Sequence, residues 1–296
     1  MPYKGFHLYY FSLYKGFSMK KFTTLVAIDF SKSSFIVLSK ALDFTKKMGG
    51  ELHVIHVLET SFFSLKKNTD LIRANSYAKL QENFPEIEEH RFYCVEGKVK
   101  SEVAKIANVI QADMIIIGKS GETYFLDELI LGSHTKDIVR NSDTPVLVIK
   151  NIHELDYKTI LIPTDLSDAS AKTVQALAAL FPKSRLRLLY FYYLPFETRL
   201  NTYGFNETEV IEYQSGIVEE SKLRLDTFIT SLNLPNNVHT ATSVRRSSLN
   251  AELFNDEVAD IEFDLLAMHT TGNISFYAFD VLETCKKDVI LIKQSK

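Results

Sequence analysis

Two stretches of this sequence decide its fold: Phe22-Thr-Thr-Leu-Val-Ala-Ile-Asp29-Phe-Ser31 and Tyr157-Lys-Thr-Ile-Leu-Ile-Pro-Thr-Asp165-Leu-Ser167. Each is a nearly continuous apolar run that ends in Asp-x-Ser, which is typical of a buried strand followed by the start of a helix. A second pair of stretches is also alike, Thr144-Pro-Val-Leu-Val-Ile-Lys150 and Asp288-Val-Ile-Leu-Ile-Lys293. The first pair is offset by 136 residues and the second by 143, so the sequence predicts a duplicated domain.

Within each unit, apolar runs alternate with helical patterns. In the first unit strands are predicted at 22–29, 51–58, 90–95, 113–118 and 145–150, and helices at 33–48, 66–83, 99–111 and 133–142. In the second unit strands are predicted near 157–163, 185–192, 237–243, 263–268 and 288–293. Buried parallel strands separated by helices predict the α/β class, with a doubly wound five-stranded parallel sheet in each of two tandem units.

The length of 296 residues is sufficient for two such domains. We assign residues 19–150 to the first domain, residues 151–156 to a short polar linker and residues 157–296 to the second domain. Residues 1–18 contain Tyr-Lys-Gly-Phe twice and interrupt their aromatic residues with Lys15 and Gly16. We expect these residues to be a disordered or non-native extension, with an interaction arm as the alternative.

Composition and motifs exclude several classes of protein. The formal net charge is −3 and Lys and Arg form no run, which argues against nucleic-acid binding. No apolar run approaches the roughly 18 residues that a membrane helix needs. Cys94 and Cys285 are far apart and have no metal-ligand spacing, and a chain poor in disulfides suits the reducing cytoplasm. No activated nucleophile or metal cluster is visible, so we expect no enzyme, although slow ATP hydrolysis stays open.

The residues that follow the first and fourth strands predict an anion site. Parallel sheets bind ligands beyond the carboxyl ends of their strands, where Asp29 and Gly118-Lys-Ser-Gly121 lie, and Gly132-Ser133 opens the next helix. Glycines let backbone N–H groups approach phosphate oxygens, and a helix N-terminus adds partial positive charge. Gly118-Lys119-Ser120 also looks like the end of a P-loop, but that loop needs a glycine where Asp113 stands.

This layout resembles the universal stress protein family, with two copies in one chain. The family's signature is Gly-x2-Gly-x9-Gly-Ser/Thr after the fourth strand, followed by a Pro-Val-Leu-Val strand. Here Gly118, Gly121 and Gly132-Ser133 follow that pattern with one extra residue, and Pro145-Val-Leu-Val comes next. The resemblance covers residues 19–296, more closely in the first unit. It implies an adenine nucleotide alpha hydrolase-like fold with strand order 3-2-1-4-5.

The resemblance also implies a site for ATP, alone or with Mg²⁺, in a stress-response regulatory module. The residues assigned to the nucleotide are Ala27, Asp29, Val57, Gly118, Lys119, Gly121, Gly132, Ser133 and His134. Among these, the glycines and Ser133 hold the phosphates and ribose, Asp29 touches the adenosine, and Val57, which follows His56, lines the adenine pocket. Ala27 stands where many family members have proline.

The second unit departs from the signature. His269 replaces the first glycine, Gly272 alone remains, and eight residues of the phosphate loop are missing before Asp288. The sequence therefore predicts that the second unit holds no triphosphate. A smaller apolar pocket near Phe276, Tyr277 and Phe279 for another small ligand is one alternative, and a ligand-free scaffold or protein-interaction module is another.

Family members pair through their last strands, so strands 145–150 and 288–293 are expected to form a pseudo-dimer within the chain, with a homodimer of chains open.

Overall fold

Ten strands form one sheet in the computed structural model, which describes residues 20–59, 68–119, 133–151, 155–246, 251–271 and 276–294. The strands of the first unit are β1 Thr23–Ala27, β2 Glu51–Leu58, β3 Phe92–Glu96, β4 Met114–Gly118 and β5 Val146–Ile149. Those of the second unit are β6 Thr159–Thr164, β7 Arg185–Tyr192, β8 His239–Arg246, β9 Leu265–Thr271 and β10 Asp288–Gln294. Residues 1–18 and Gly272 lie outside the described residues, so the expectations for them stay predictions.

The strand order is β3-β2-β1-β4-β5-β10-β9-β6-β7-β8. Each half therefore repeats the order 3-2-1-4-5, and every pair within a half is parallel. The α/β class and the doubly wound topology are confirmed. The two five-stranded sheets are continuous with each other, because β5 and β10 pair antiparallel with Val148 opposite Val289.

Eight α-helices cover both faces of the described part of this sheet. They are α1 Lys32–Lys47, α2 Thr69–Asn83, α3 Val99–Val109, α4 Ser133–Asn141, α5 Asp168–Leu180, α6 Glu207–Ser231, α7 Phe254–Glu257 and α8 Phe276–Thr284. Apolar side chains of α1, α2, α5 and α6 join the core on one face, and those of α3, α4, α7 and α8 join the core on the other. Each core runs through both units, so the chain buries two continuous apolar layers. No helix in these ranges is both long and apolar enough to cross a membrane.

Some element boundaries differ from those predicted. The third strand begins at Phe92 instead of residue 90, because Glu89–Arg91 form a 3₁₀ turn in front of it. The segment predicted as a polar linker is partly buried, since Leu155 and the adjoining Tyr157 both enter the core. The Tyr157 ring packs against Phe44 of the first unit and Phe181 of the second, at centroid distances of 6.3 and 6.0 Å.

The two units meet where β5 pairs with β10, and this junction is called the seam below. It contains a buried carboxylate. Asp288 is 4% exposed and accepts hydrogen bonds from the backbone N–H groups of Lys150 and Asn151 at 2.7 and 3.0 Å. Its second oxygen accepts from the Tyr157 hydroxyl at 3.0 Å. One side chain of the second unit thus satisfies donors from the end of the first unit and from the segment that joins them.

The helices α4 and α8 face each other across the same seam. Lys136 of α4 forms an ion pair with Glu283 of α8, and the Arg140 guanidinium lies 4.9 Å from the centre of the Phe279 ring. Phe279 is therefore buried against the first unit. The predicted small-ligand pocket near this residue stays a prediction.

Lys150 is expected to make the stability of the chain depend on pH. Its ammonium donates to the carbonyl oxygens of Leu282 and Cys285 at the end of α8, and burial lowers its pKa from 10.5 to about 8. Between these two values the unfolded chain holds a proton that the folded chain has lost. Stability is therefore expected to rise with pH from about 8 to 10, by on the order of 1–3 kcal/mol.

Urea denaturation at a series of pH values, for the native chain and for Lys150→Met, measures this effect. The methionine variant keeps much of the apolar stem and removes the titrating group, so its stability is expected to lack the rise. An equal rise in both proteins would assign the pH dependence to other groups.

Candidate functional site

The ends of β1 and β4 form a crevice in the first unit. These strands are neighbours, but the chain leaves β1 toward β2 and leaves β4 toward β5, which makes this point the topological switch of the half-sheet. Val26 of β1 is opposite Ile116 of β4. Asp29 and Lys119 each come three residues later, so their backbones leave the sheet side by side on strands about 5 Å apart.

A tight turn after β1 fixes the position of Asp29. Phe30 has a φ of 64°, which is uncommon for a bulky residue, and its ring packs edge-on against His56 at 4.8 Å. The turn lets the Ser31 N–H donate to Asp29 Oδ1 at 3.0 Å, while Ser31 Oγ caps α1 by accepting from the Ser34 N–H. Partial burial raises the pKa of Asp29, but hydrogen bonds from Ser31 and Ser34 outweigh it and hold that pKa below its usual value. Asp29 is thus an exposed, ionised acceptor at the crevice.

His56 supports the same turn from β2. Its Nδ1 lies 3.0 Å from the carbonyl oxygen of Ile28, the residue before Asp29. Burial lowers the pKa of His56, so the ring is neutral at pH 7 and Nδ1–H donates to that carbonyl. His56 thus lies within β2 and holds the end of β1 in place.

Thr135 places the first turn of α4 beside the end of β4. Its buried hydroxyl donates to the carbonyl oxygens of Gly118 and Lys119, at 3.2 and 3.3 Å. The N-termini of α1 and α4 therefore both lie at the crevice. Neither helix has an acidic residue in its first turn, and α1 has the exposed Lys32 there. Two helix N-termini and a lysine favour an anion at this point.

The other predicted residues divide into three groups. Ala27 and Val57 are half-buried on the same face of the sheet, against the core that contains α3 and α4. His134 lies at the surface, with Nε2 3.9 Å from a Glu59 carboxylate oxygen. Gly121, Gly132 and the Ser133 side chain lie outside the described residues, so their roles stay predictions.

The second unit has the same turn in a different setting. Leu166 repeats the positive φ of Phe30, at 62°, and Asp165 Oδ1 accepts from the Ser167 N–H at 3.0 Å and from the Ser170 hydroxyl at 2.6 Å. Asp165 Oδ1 also lies 3.8 Å from Nε2 of His269. The neighbouring His269 imidazole, together with hydrogen bonds from Ser167 and Ser170, holds the pKa of Asp165 far below its usual range.

His269 stands at the position in the second unit that corresponds to Gly118 in the first. It is opposite Ile292 in the β9–β10 register, as Gly118 is opposite Ile149 in the β4–β5 register. Its imidazole is largely buried, with Nε2 3.2 Å from Ser170 Oγ. The first turn of α5 begins with Asp168, where α1 has Lys32. The second crevice is therefore filled by a ring, and its helix start has the opposite charge.

Sequence reasoning missed Lys32 and Thr135. The sequence contained a signal for Lys32. The equivalent position in the second unit, 136 residues later, is Asp168, which has the opposite charge. Thr135 carried none, since a threonine inside a helix does not indicate which carbonyl its hydroxyl reaches. In the described ranges, no group of three or more His, Cys, Asp and Glu side chains is arranged to hold a metal ion.

Residues 22–150 match the model of the universal stress protein family. The first unit is therefore a universal stress protein domain. The chain is 26% identical over 137 residues to the universal stress protein MJ0531 of Methanocaldococcus jannaschii, a match that covers 43% of this chain and 80% of that protein. It is 43% identical over 56 residues to MJ0577 of the same organism, which covers 19% of this chain and 34% of that protein.

Solved structures extend the likeness in fold to both units of this chain. A universal stress protein from Archaeoglobus fulgidus has a TM-score of 0.65 at 16% identity and covers 92% of this chain and 98% of its own. A protein of unknown function from Pseudomonas aeruginosa has a TM-score of 0.58 at 14% identity and covers 92% of each chain. At these identities the likeness is one of fold, and it includes the tandem arrangement.

Proposed function

We propose that this chain is a tandem universal stress protein that binds ATP or a related adenine nucleotide in the crevice of its first unit, as a stress-response regulatory module. The observation that carries the proposal is the contrast between the two crevices. The first has two helix N-termini, the exposed Lys32 and Asp29, and Gly118 at the end of β4. The second has His269 in the place of that glycine.

Different groups of the first crevice suit different parts of a nucleotide. Backbone N–H groups at the starts of α1 and α4, with the glycines at 118, 121 and 132, suit the phosphates, together with Ser133 and Lys119. Asp29 suits a ribose hydroxyl or an amino group, because a carboxylate accepts hydrogen bonds and repels phosphate. Ala27 and Val57 supply apolar surface for the base. Mg²⁺ enters this proposal as the ion carried on the triphosphate oxygens.

Titration calorimetry with Mg²⁺–ATP on the full chain, after removal of co-purified nucleotide, tests the proposal. We expect one site per chain and a higher melting temperature, since a ligand at a hundredfold excess over Kd stabilises by about 2.7 kcal/mol. Two equivalent sites would contradict the closure of the second crevice. An absence of heat and of thermal shift would contradict nucleotide binding altogether.

We further infer that the two units act as a built-in pair in the cytoplasm. The β5–β10 pairing uses the sheet edges through which single-unit family members are expected to associate, so further association of chains would need another surface. Cys94 and Cys285 are buried free thiols, which suits a reducing compartment.

A further inference from the structure

The second unit carries an extension that α2 of the first unit lacks. The two helices end at comparable places, α2 nine residues before β3 and α6 eight residues before β8. However, α2 has 15 residues and α6 has 25. The Asn68 side chain caps α2, so that helix begins at Thr69. The additional ten residues of α6 are therefore at its N-terminus and extend it by roughly 15 Å.

Residues 193–206, which precede α6, fold against this extension. Leu194 and Leu200 are buried, and the Tyr213 hydroxyl donates to the carbonyl oxygen of Pro195 at 3.1 Å. Asn206 and Glu209 form a reciprocal capping box at 3.0 and 2.8 Å. Residues 193–220 thus form an ordered surface, called the platform below. Packing and helix capping fix its geometry.

The platform exposes an unusual share of large apolar side chains. In the described part of the chain ten such side chains are exposed, and five of them occur between residues 193 and 211. They are Tyr193, Phe196, Tyr203, Phe205 and Ile211, exposed by 40–70%. Single exposed apolar residues are ordinary, but a concentration of them within one short, ordered segment is typical of an interaction surface.

The same platform is acidic. The exposed glutamates of its helix are Glu207, Glu209, Glu212, Glu219 and Glu220. The first basic residue on α6 is Lys222, which pairs with Glu219 at 2.8 Å. A partner with basic residues beside its apolar ones would find complementary charge here.

A cleft lies beside the platform, where β7 and β8 end. Its volume is about 350 Å³, and its apolar lining comes from Tyr192, Leu194 and Val218. Polar groups of Glu219 and Arg246 also line it, and Arg246 is ion-paired with Glu197. A concave site of this size admits a side chain of a partner in the middle of a flatter apolar contact.

We propose that residues 193–220 and this cleft form a docking surface for a basic, apolar segment of a partner protein. The acidic charge disfavours a second copy of the same surface and an anionic membrane, because each would bring like charges together. The surface lies at the ends of β7 and β8, separate from the crevice between β1 and β4. The proposal goes beyond nucleotide binding and does not depend on it.

The test uses a labelled synthetic helical peptide of about 15 residues made of Lys, Leu and Phe, and a matched peptide with Glu in place of Lys. Fluorescence anisotropy with the full chain measures both affinities. We expect the Lys peptide to bind about tenfold more tightly than the Glu peptide at about 0.15 M salt, and the preference to weaken as salt rises.

Surface variants then locate the binding. The double variant Phe205→Ser and Ile211→Ser is expected to lower the affinity for the Lys peptide about fivefold or more, because it removes two apolar contacts from the surface. Leu71→Ser is the matched control, since Leu71 is exposed to 60% on α2 and Ile211 to 62% on α6. The control is expected to bind as the native chain does.

Four results would overturn the proposal. They are equal affinity for the two peptides, no binding of the Lys peptide, an equal loss in Leu71→Ser, and binding that the double variant leaves unchanged. Two further measurements test the other possible occupants. Sedimentation velocity tests for a second copy of the chain, and vesicles of phosphatidylcholine with phosphatidylserine test for a membrane. Self-association that Ile211→Ser abolishes would assign the surface to a second copy, and vesicle binding lost in the same variant would assign it to a membrane.

Discussion

Replacing Asp288 by alanine is expected to lower the free energy of unfolding by about 3–5 kcal/mol, the largest effect among these predictions. The carboxylate is 4% exposed and accepts from the backbone of Lys150 and Asn151 and from the Tyr157 hydroxyl. Alanine would leave one buried and two partly buried donors without this acceptor, at the point where β5 pairs with β10. Each unsatisfied buried donor costs about 1–3 kcal/mol.

Urea denaturation followed by circular dichroism measures the loss. Tyr157→Phe removes one of these hydrogen bonds and is expected to cost about 1 kcal/mol. Asp143→Ala is the matched control, because Asp143 is an exposed carboxylate at the same seam that pairs with Lys293 at 2.8 Å. It is expected to cost less than about 1 kcal/mol. If Asp288→Ala cost no more than Asp143→Ala, the buried carboxylate would not be what stabilises the seam.

The second large effect is expected for Asp29→Ala, which should lower the affinity for ATP about ten- to hundredfold. This range corresponds to the 1.5–3 kcal/mol that a hydrogen bond to a charged group contributes. The carboxylate lies at the crevice, and the turn at Phe30 with the Ser31 N–H fixes its position. Calorimetry with the native chain and the variant gives the two dissociation constants.

The duplication provides the control for this experiment. Asp165 occupies the same turn in the second unit, beside His269, and Asp165→Ala is expected to leave the affinity for ATP unchanged. A loss of affinity in Asp165→Ala with none in Asp29→Ala would place the nucleotide in the second unit. Equal, small losses in both would indicate that neither carboxylate contacts it.

Most of the fold could be predicted because its signals are local. An apolar run such as Leu25–Ile28 is recognisable as a buried strand wherever it sits in the sheet, and the repeat of such runs predicted two equal units. The boundaries of strands and helices differ from the prediction where a turn forms local hydrogen bonds, as at the 3₁₀ turn before Phe92. The burial of Leu155 was not predictable, since its neighbours in sequence are polar and its neighbours in space belong to the core.

The candidate site was predicted in part for the same reason. Gly118 ends a strand, Asp29 and Lys119 come just after strands, and the order of strands brings strand ends together. The contribution of Thr135 depends on a carbonyl 17 residues away, and that of His56 on one 28 residues away. Nothing in either segment indicates those contacts.

By itself, the sequence determined the duplication, the alternation of strands and helices, and the loss of glycines from the second phosphate loop. These are properties of composition and period within a segment, which do not need the rest of the chain. Only the tertiary structure decided that Asp288 satisfies donors 131 to 138 residues away, that His269 fills the second crevice, and that aromatic and acidic side chains share one platform. Those outcomes depend on which surfaces meet when ten strands join into one sheet, because hydrogen bonds and burial are set by neighbours in space.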